Sequence, residues 1–329
     1  MGRIAAARQD LPGRWRHQFA LFTSAATLFL IFAGGMVTST GSGLAVPDWP
    51  LSYGEFFPPM VGGIFYEHGH RMVAGTVGLL MIGLAIWTWL REGRRWVRWL
   101  AAGAVLAVIT QAVLGGITVL FLLPTAVSVS HAGLANLFFM ITVVLAVVTG
   151  PWWTRAPGRG DPTAFTVRPD LPVLAGATTL AIYIQILLGA VMRHTDSGLA
   201  IPDFPLAFGR LIPPMTDPHV AIHFAHRVGA LLVVLLVGWT VVRALRRHRG
   251  DGGLVGPAVL VGCLTIAQIV LGAFTVWTGK AATLTTFHVA GGSATLAAGL
   301  LLTLRAARRH RREASDARVA DLAPIEGSA

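Results

Sequence analysis

Eight apolar stretches, each almost free of charged residues, constrain this chain more than any other feature. They cover residues 17–37, 69–90, 99–122, 128–150, 172–192, 219–242, 254–277 and 283–304. About 20 apolar residues let a helix cross the hydrocarbon core of a bilayer, where a helix satisfies its own backbone hydrogen bonds. Charged residues make up only 12% of the chain, about half of their usual share in soluble proteins. We therefore expect an all-α polytopic membrane protein with eight transmembrane helices.

The distribution of basic residues predicts how these helices are oriented. If the N-terminus is in the cytoplasm, most of the 26 Lys and Arg residues fall in cytoplasmic segments, and the outer loops hold only Arg193, Arg210 and Lys280. The positive-inside rule then places both termini in the cytoplasm. The surplus of positive charge favours contact with anionic membrane lipid. It does not favour a nucleic acid partner, because the basic residues do not gather on one soluble face.

A long internal repeat predicts how the helices are grouped. The sequence SGLAVPDWPL begins at Ser42, and SGLAIPDFPL begins at Ser197; QAVLGGITV from Gln111 likewise recurs as QIVLGAFTV from Gln268. Each half contains four apolar stretches, an even number, so both halves enter the membrane in the same direction. This is the pattern of parallel repeats. We expect two tandem four-helix bundles related by a pseudo-two-fold axis along the membrane normal.

The repeat also divides the chain into segments. We expect an N-terminal bundle over residues 1–154, a cytoplasmic linker over 155–171, a C-terminal bundle over 172–312 and a disordered tail over 313–329. Glycines recur inside the apolar stretches, and we interpret them as positions where helices pack closely. These glycines include Gly34, Gly35, Gly115, Gly116, Gly189 and Gly272.

Two pairs of histidines stand at one predicted depth. His70 and His131 lie near the outer ends of two helices in the first half, and His226 and His288 follow them by 156 and 157 residues in the second half. Ionisable side chains inside a membrane usually face the bundle interior and serve a function. Pairs of imidazoles on facing helices suit axial ligation of haem iron. Zinc suits this pattern less well, because no further thiolate or carboxylate ligand repeats with the histidines.

The residues next to the histidines differ between the halves. Arg71 and Arg227 each follow a histidine, and we expect them either to bind haem propionates or to reach the outer lipid headgroups. Glu67 precedes His70 by three residues and shares its helix face, whereas its counterpart in the second half is His223. A carboxylate beside a porphyrin edge can stabilise a developing cation or move a proton. One half is therefore equipped for chemistry and the other for holding a redox cofactor.

Two other functions fit parts of this pattern. A bis-histidine, two-haem electron-transfer cytochrome without substrate chemistry matches the composition and the histidine depth equally well. A transporter built from parallel repeats would explain the duplication. It would need polar groups near the middle of the membrane, where the helices are apolar apart from Gln111, Gln185 and Gln268.

With these residues placed, the chain resembles the haem A synthases from about Phe19 to Leu304. The resemblance is carried by the loop TGSGLAVPDWPL, by Glu-x-x-His-Arg at residues 67–71, by SHAGLAN around His131, by the second His-Arg pair and by HVAGG around His288. It implies an oxidoreductase that converts a methyl group of haem O to the formyl group of haem A, through hydroxylated intermediates, for terminal oxidase assembly.

The resemblance also implies roles for individual residues and partners. Glu67 would be catalytic, His70 and His131 would flank the iron of haem O or haem A, and His226 and His288 would bind haem B. It further implies a bacterial plasma membrane location, a haem O synthase as the upstream partner and contact with the cytochrome oxidase assembly machinery. One departure is clear: a branch of the family carries a cysteine pair in an outer loop, and the only cysteine here is Cys263, in the seventh apolar stretch.

The repeated loop has an expected place in this scheme. In each half it leads from the first helix to the helix that bears the histidine and arginine, so we expect it to cover the haem edge at the outer surface. We expect Asp48 and Asp203 to make local capping bonds, and Trp49 and Phe204 to lie at the membrane interface.

Overall fold

The computed structural model describes residues 13–154 and 170–321, with side chains to residue 314. These residues are almost entirely helical, and the helices are α1 (Arg14–Ser39), α2 (Gly62–Arg91), α3 (Arg95–Leu120), α4 (Thr125–Thr149), the single turn α5 (Pro151–Thr154), α6 (Leu171–His194), α7 (Pro218–Arg247), α8 (Gly252–Trp277) and α9 (Ala282–Asp321). Within the described residues, eight of them are long and apolar enough to cross a membrane. The expectation of an all-α, multi-pass membrane protein is confirmed.

The eight long helices correspond one to one to the predicted apolar stretches, and every one of them begins earlier than its stretch. α2 begins at Gly62, seven residues before the stretch that predicted it. Three helices begin with an aspartate whose carboxylate accepts a backbone N–H of the first turn, as N-cap residues do; these are Asp170, Asp217 and Asp251. The predicted linker falls mostly on residues 155–169, which lie outside the described residues.

Each set of four long helices forms a closed ring of neighbours. α1 and α3 both pack against α2 and against α4, and α6 and α8 both pack against α7 and against α9. The two sets meet where α1 contacts α9 and where α4 contacts α6 and α9. α2 and α4 therefore stand across one ring from each other, and α7 and α9 stand across the other.

One end of the first ring is fastened by a buried carboxylate. Glu92, just after α2, accepts from Arg94 Nη2 at 2.8 Å and from Arg16 Nη2 at 3.0 Å. Arg94 also donates to the Val148 carbonyl of α4 at 2.9 Å, so the cluster joins α1, α2, α3 and α4. The hydrogen bond from the Arg94 side chain is the main cause that lowers the pKa of Glu92 to about 2. This end lies opposite the histidines.

The C-terminal segment corrects one expectation. Residues 313–329 were expected to be a disordered tail, but α9 continues to Asp321. Residues 305–321 are rich in Arg and Ala, which favour helices, and Arg309 Nε lies 3.4 Å from Glu313 Oε1 one turn later. Such i, i+4 pairs add support to an exposed helix. Residues 322–329 lie outside the described residues.

Candidate functional site

The four histidines occupy equivalent positions in their helices. His70 and His226 each lie eight residues after the first residue of α2 or α7, and His131 and His288 each lie six residues after the first residue of α4 or α9. At 1.5 Å per residue, all four lie roughly 9 to 12 Å into their helices. Each pair is carried by two helices that stand across a ring from each other. The matched depth predicted from the repeat is therefore present.

The second pair has a spacing that suits one metal ion between two rings. The ring centroids of His226 and His288 are 6.5 Å apart, and the ring planes are inclined at 77°. When two imidazoles each bind one metal ion through one nitrogen at about 2.0–2.1 Å, their centroids lie roughly 6 Å apart. The two residues therefore fit the axial positions of a haem iron.

The evidence at the first pair is different: it comes from buried imidazole nitrogens that lack a hydrogen bond. Nδ1 of His70, Nδ1 of His131 and Nδ1 of His288 are buried and make no hydrogen bond of good geometry among the described residues, although each ring lies near a backbone carbonyl, that of Leu30, Gln111 or Gln268 respectively. An unpaired buried polar atom costs about 1–3 kcal/mol, so such imidazoles are expected to have a partner when the protein works. The donor set at each pair, two imidazoles and no thiolate, fits haem.

A glycine on a neighbouring helix faces each of these imidazoles. A Cβ atom on any of the four glycines would lie between 3.0 and 3.4 Å from the Cε1 atom of a histidine; the pairs are Gly34 with His70, Gly115 with His131, Gly189 with His226 and Gly272 with His288. The interpretation of these glycines as simple helix-packing positions is corrected: the missing side chain makes room for a ring. Their offsets of 155 and 157 residues, each within one residue of the corresponding histidine offset, are the sequence signal that identifies this role.

Glutamines hold the backbone of two histidine-bearing segments. Gln111 Nε2 donates to the main-chain oxygen of His131 at 3.0 Å, and Gln185 Nε2 donates to that of His226 at 2.8 Å. The Gln185 amide also lies 3.0 Å from Nδ1 of His226. These polar groups in the apolar helices are thus committed to the histidine sites. Nothing in their arrangement suggests the lining of a transport path.

Glu67 and Arg71 bind each other and the outer loop. Glu67 is 3% exposed; its Oε1 accepts from Arg71 Nη2 at 2.6 Å, and its Oε2 accepts from the Val46 N–H at 2.8 Å. Arg71 Nη1 donates to the carbonyls of Asp48 and Leu51, both at 2.8 Å. The carboxylate expected at the first site is therefore present there as a buried, paired group at the root of the loop.

The second half holds its loop in the same way. Nδ1 of His223 accepts from the Ile201 N–H at 3.2 Å, just as Glu67 accepts from Val46. Arg227 donates to the carbonyl of Asp203 at 2.7 Å and to that of Leu206 at 2.8 Å. Both arginines, for which contacts with haem propionates or lipid headgroups are predicted, donate to carbonyls of their own outer loops.

One aspartate closes a turn at the tip of each loop, as expected. Asp48 accepts from the N–H groups of Tyr53 at 2.7 Å and Gly54 at 2.9 Å, and Asp203 makes the matching bonds to Phe208 and Gly209. The backbone N–H of Gly54, followed by that of Tyr53, holds the pKa of Asp48 below its ordinary value of 3.8. The first loop also packs against α3. A Cβ on Gly116 would lie 2.7 Å from the Trp49 indole, and Gly116 directly follows the glycine that faces His131.

Comparison with known proteins finds related proteins that match most of the chain. The model of the COX15-CtaA family, described as cytochrome oxidase assembly protein, matches residues 60–300. A heme A synthase of Halalkalibacterium halodurans is 32% identical over 266 residues, which is 80% of this chain and 87% of that protein. A heme A synthase of Symbiobacterium thermophilum is 34% identical over 233 residues, 69% of this chain and 76% of that protein.

A third relative extends the match. The heme A synthase of Alkalihalophilus pseudofirmus is 30% identical over 274 residues, 82% of this chain and 90% of that protein. The region that the family model matches, residues 60–300, contains both histidine pairs, both arginines and Glu67. With its eight apolar helices and this match, the chain belongs to the COX15-CtaA family of cytochrome oxidase assembly proteins.

Proposed function

We propose that this protein is a haem A synthase, an oxidoreductase that converts the methyl group of haem O to the formyl group of haem A. The observation that carries the proposal is an asymmetry. Two histidine pairs stand at matched positions, and within the part of the chain that the structure describes only the first is accompanied by a buried carboxylate, Glu67, where the second half has His223. A site for chemistry beside a site for a resident cofactor is what such a reaction requires.

The two pairs would divide the haem groups between them. His70 and His131 would flank the iron of haem O as substrate and of haem A as product, while His226 and His288 would hold a resident haem B. The 6.5 Å separation of the second pair and the unpaired imidazole nitrogens support this division. Haem B, when bound, supplies a group that accepts and passes on single electrons.

The residues around the first site suggest what the protein contributes. Glu67 brings a negative charge to the helix face that carries His70, and Arg71 with the Val46 N–H keeps that carboxylate in one orientation. Conversion of the methyl group to a formyl group removes electrons and protons from its carbon and adds one oxygen atom, so it needs an external electron acceptor and either water or dioxygen as the oxygen source. Glu67 would stabilise positive charge that develops at that carbon and would accept a released proton. The outer loop would cover the site. Because Arg71 and Arg227 are bound to loop carbonyls, we assign them to the loops rather than to propionates.

The arrangement in the cell follows from the same proposal. The two rings of helices would be parallel tandem repeats, residues 1–154 and 172–312, with both termini in the cytoplasm and the histidines near the outer surface of a bacterial plasma membrane. A haem O synthase would supply the substrate, and the cytochrome oxidase assembly machinery would receive the product.

The product of the reaction is the direct test. The protein would be expressed in a host that makes haem O but no haem A, and the extracted haems would be separated by chromatography with mass detection. We expect a formyl haem that appears only with this protein. If haem B alone were bound in a host shown to deliver haem O, the proposal would be replaced by its alternative, a two-haem electron-transfer cytochrome.

Glu67→Gln tests the asymmetry itself. The amide oxygen can still accept the Val46 N–H, but the charge is lost, so we expect both haems to bind while formyl formation falls about 100-fold or more, as for other preorganised charges. His223→Gln in the second half is the matched control and should leave formyl formation unchanged. Equal rates for Glu67→Gln and the unchanged protein would show that the carboxylate is not catalytic.

A further inference from the structure

The two outer loops are held in place alike, yet the first has a polar cluster that the second lacks. In each half, a loop N–H donates to a side chain in the first turns of α2 or α7, an arginine of the same helix donates to loop carbonyls, and an aspartate closes a turn of the loop. Two positions beneath the first loop are polar and their counterparts are apolar; the pairs are Ser52 with Ala207 and His68 with Phe224. The second loop keeps the same form with apolar residues at these two positions; its own buried serine, Ser197, instead bonds to Nδ1 of His219 at 2.9 Å.

The cluster continues the contacts of Glu67. The Ser52 hydroxyl and Nδ1 of His68 share a hydrogen bond of 2.8 Å, and Arg71 Nη1 lies 3.4 Å from the same hydroxyl. Arg71 Nη2 in turn binds Glu67 at 2.6 Å. Ser52 is 1% exposed and His68 is 6% exposed. A continuous buried chain of contacts therefore runs from His68 through Ser52 and Arg71 to the carboxylate.

The cost of this cluster argues that it has a function. Nε2 of His68 is buried and has no hydrogen-bond partner among the described residues, and a partly satisfied polar cluster is less favourable than an apolar one. The second half uses the apolar solution at the same positions. Ser52 and His68 thus occur in the half where a carboxylate, Glu67, directly precedes His68. In the other half, His223 precedes Phe224.

We infer that Ser52 and His68 are positioning residues of the first site, which act on substrate chemistry through Arg71 and Glu67. Ser52 is the loop side chain that contacts the Arg71 guanidinium, and His68 fixes the Ser52 hydroxyl. Together they hold Arg71 against Glu67, so that the carboxylate keeps one orientation on the face of α2 that carries His70. Outer partners of this kind commonly change activity by about 10- to 100-fold. This inference rests on the proposed haem O oxidation.

The test uses the second half as its guide. Ser52→Ala and His68→Phe introduce residues that the protein already accommodates at the equivalent positions. We expect kcat for formyl formation to fall about tenfold or more, with an unchanged KM for haem O and unchanged haem content. His68→Asn, whose amide can still bind the Ser52 hydroxyl, should restore most of the rate. The reciprocal variants Ala207→Ser and Phe224→His should leave the rate unchanged.

A second measurement separates positioning from a merely structural role. If Ser52 acts through the carboxylate, Ser52→Ala should cause no further loss in a Glu67→Gln background, because effects on one chain of contacts are not additive. Unchanged kcat in both Ser52→Ala and His68→Phe would overturn the inference, as would a loss of rate that merely follows a loss of bound haem and is not restored by His68→Asn. If the unaltered protein formed no formyl haem at all, the proposed function would have failed instead.

Discussion

At the scale of single residues, the histidine sites depend on side chains that are absent. Gly272 lets the His288 ring lie where a Cβ would be 3.3 Å from Cε1, a distance already tighter than ordinary contact. Added methyl groups in a packed interior force side chains off their preferred rotamers and cost about 1–3 kcal/mol. When both rings bind one metal ion, the His288 ring cannot move far from its present distance to His226.

Gly272→Val should therefore weaken the second site selectively. We expect about 5- to 150-fold weaker retention of the haem held by that pair, which corresponds to the same 1–3 kcal/mol, measured as haem B content and low-spin absorbance per protein. Gly256→Val, on the same helix, is the control, since a Cβ at Gly256 meets nothing within 4 Å. Equal haem loss in the two variants would contradict the role given to Gly272.

At the scale of elements, the outer loops are ordered by bonds to charged groups. Each loop is held by an arginine below and an aspartate within, and hydrogen bonds to ionised groups are stronger than neutral ones. The Asp48 carboxylate accepts two backbone N–H groups, which lower its pKa; Asp203 is lowered in the same way, first by Gly209 and then by Phe208. Both loops should therefore share one dependence on pH.

The sign of that dependence follows from the lowered pKa. A carboxylate with a depressed pKa in the folded loop contributes order that is fully present above the ordinary value of 3.8 and is lost as the pH falls through the lowered pKa. We expect the Tyr53 and Gly54 amides to lose protection from hydrogen exchange in that range. Asp48→Asn should lose one of the two bonds at neutral pH and leave the second loop protected. Unchanged protection at both Tyr53 and Gly54 in this variant would contradict the assignment.

The elements also show what the sequence alone could predict. Apolar length is a local property, so the eight helices and the equivalent histidines could be predicted from composition and repeat. The contacts of Arg71 could not, because its partners are backbone carbonyls about 20 residues away, and no side-chain pattern encodes a carbonyl. The helical residues after Arg312 could not be predicted from apolar length, because they lie beyond the last apolar stretch.

At the scale of the whole molecule, a polar bridge joins the two sets of helices. Arg193 Nη2 on α6 donates to Ser39 Oγ at 2.6 Å and to the Gly35 carbonyl at 3.1 Å, both on α1. Thr286 of α9 donates to the same Ser39 hydroxyl at 3.0 Å. A second buried bond joins Ser293 of α9 to Asn136 of α4 at 2.8 Å. Small and polar residues of this kind commonly hold helices together in lipid.

The bridge adjoins both histidine sites. Gly35 follows the glycine that faces His70, and Thr286 stands two residues before His288 in α9. Any change that separates α1 from α6 and α9 would therefore move a wall of the first site and a ligand helix of the second. The two sites should respond together.

Arg193→Gln tests this coupling. Hydrogen bonds to charged groups contribute about 1.5–3 kcal/mol, so the loss of the guanidinium should lower the Tm of the purified protein by several degrees and reduce haem retention at both pairs in parallel. Arg210→Gln is the control, because Arg210 is an exposed loop residue in the second half. The measurement is thermal unfolding in detergent, followed by the absorbance of each haem. Loss of one haem while the other stays fully bound would show that the bridge serves a single site, and the two halves would then be independent.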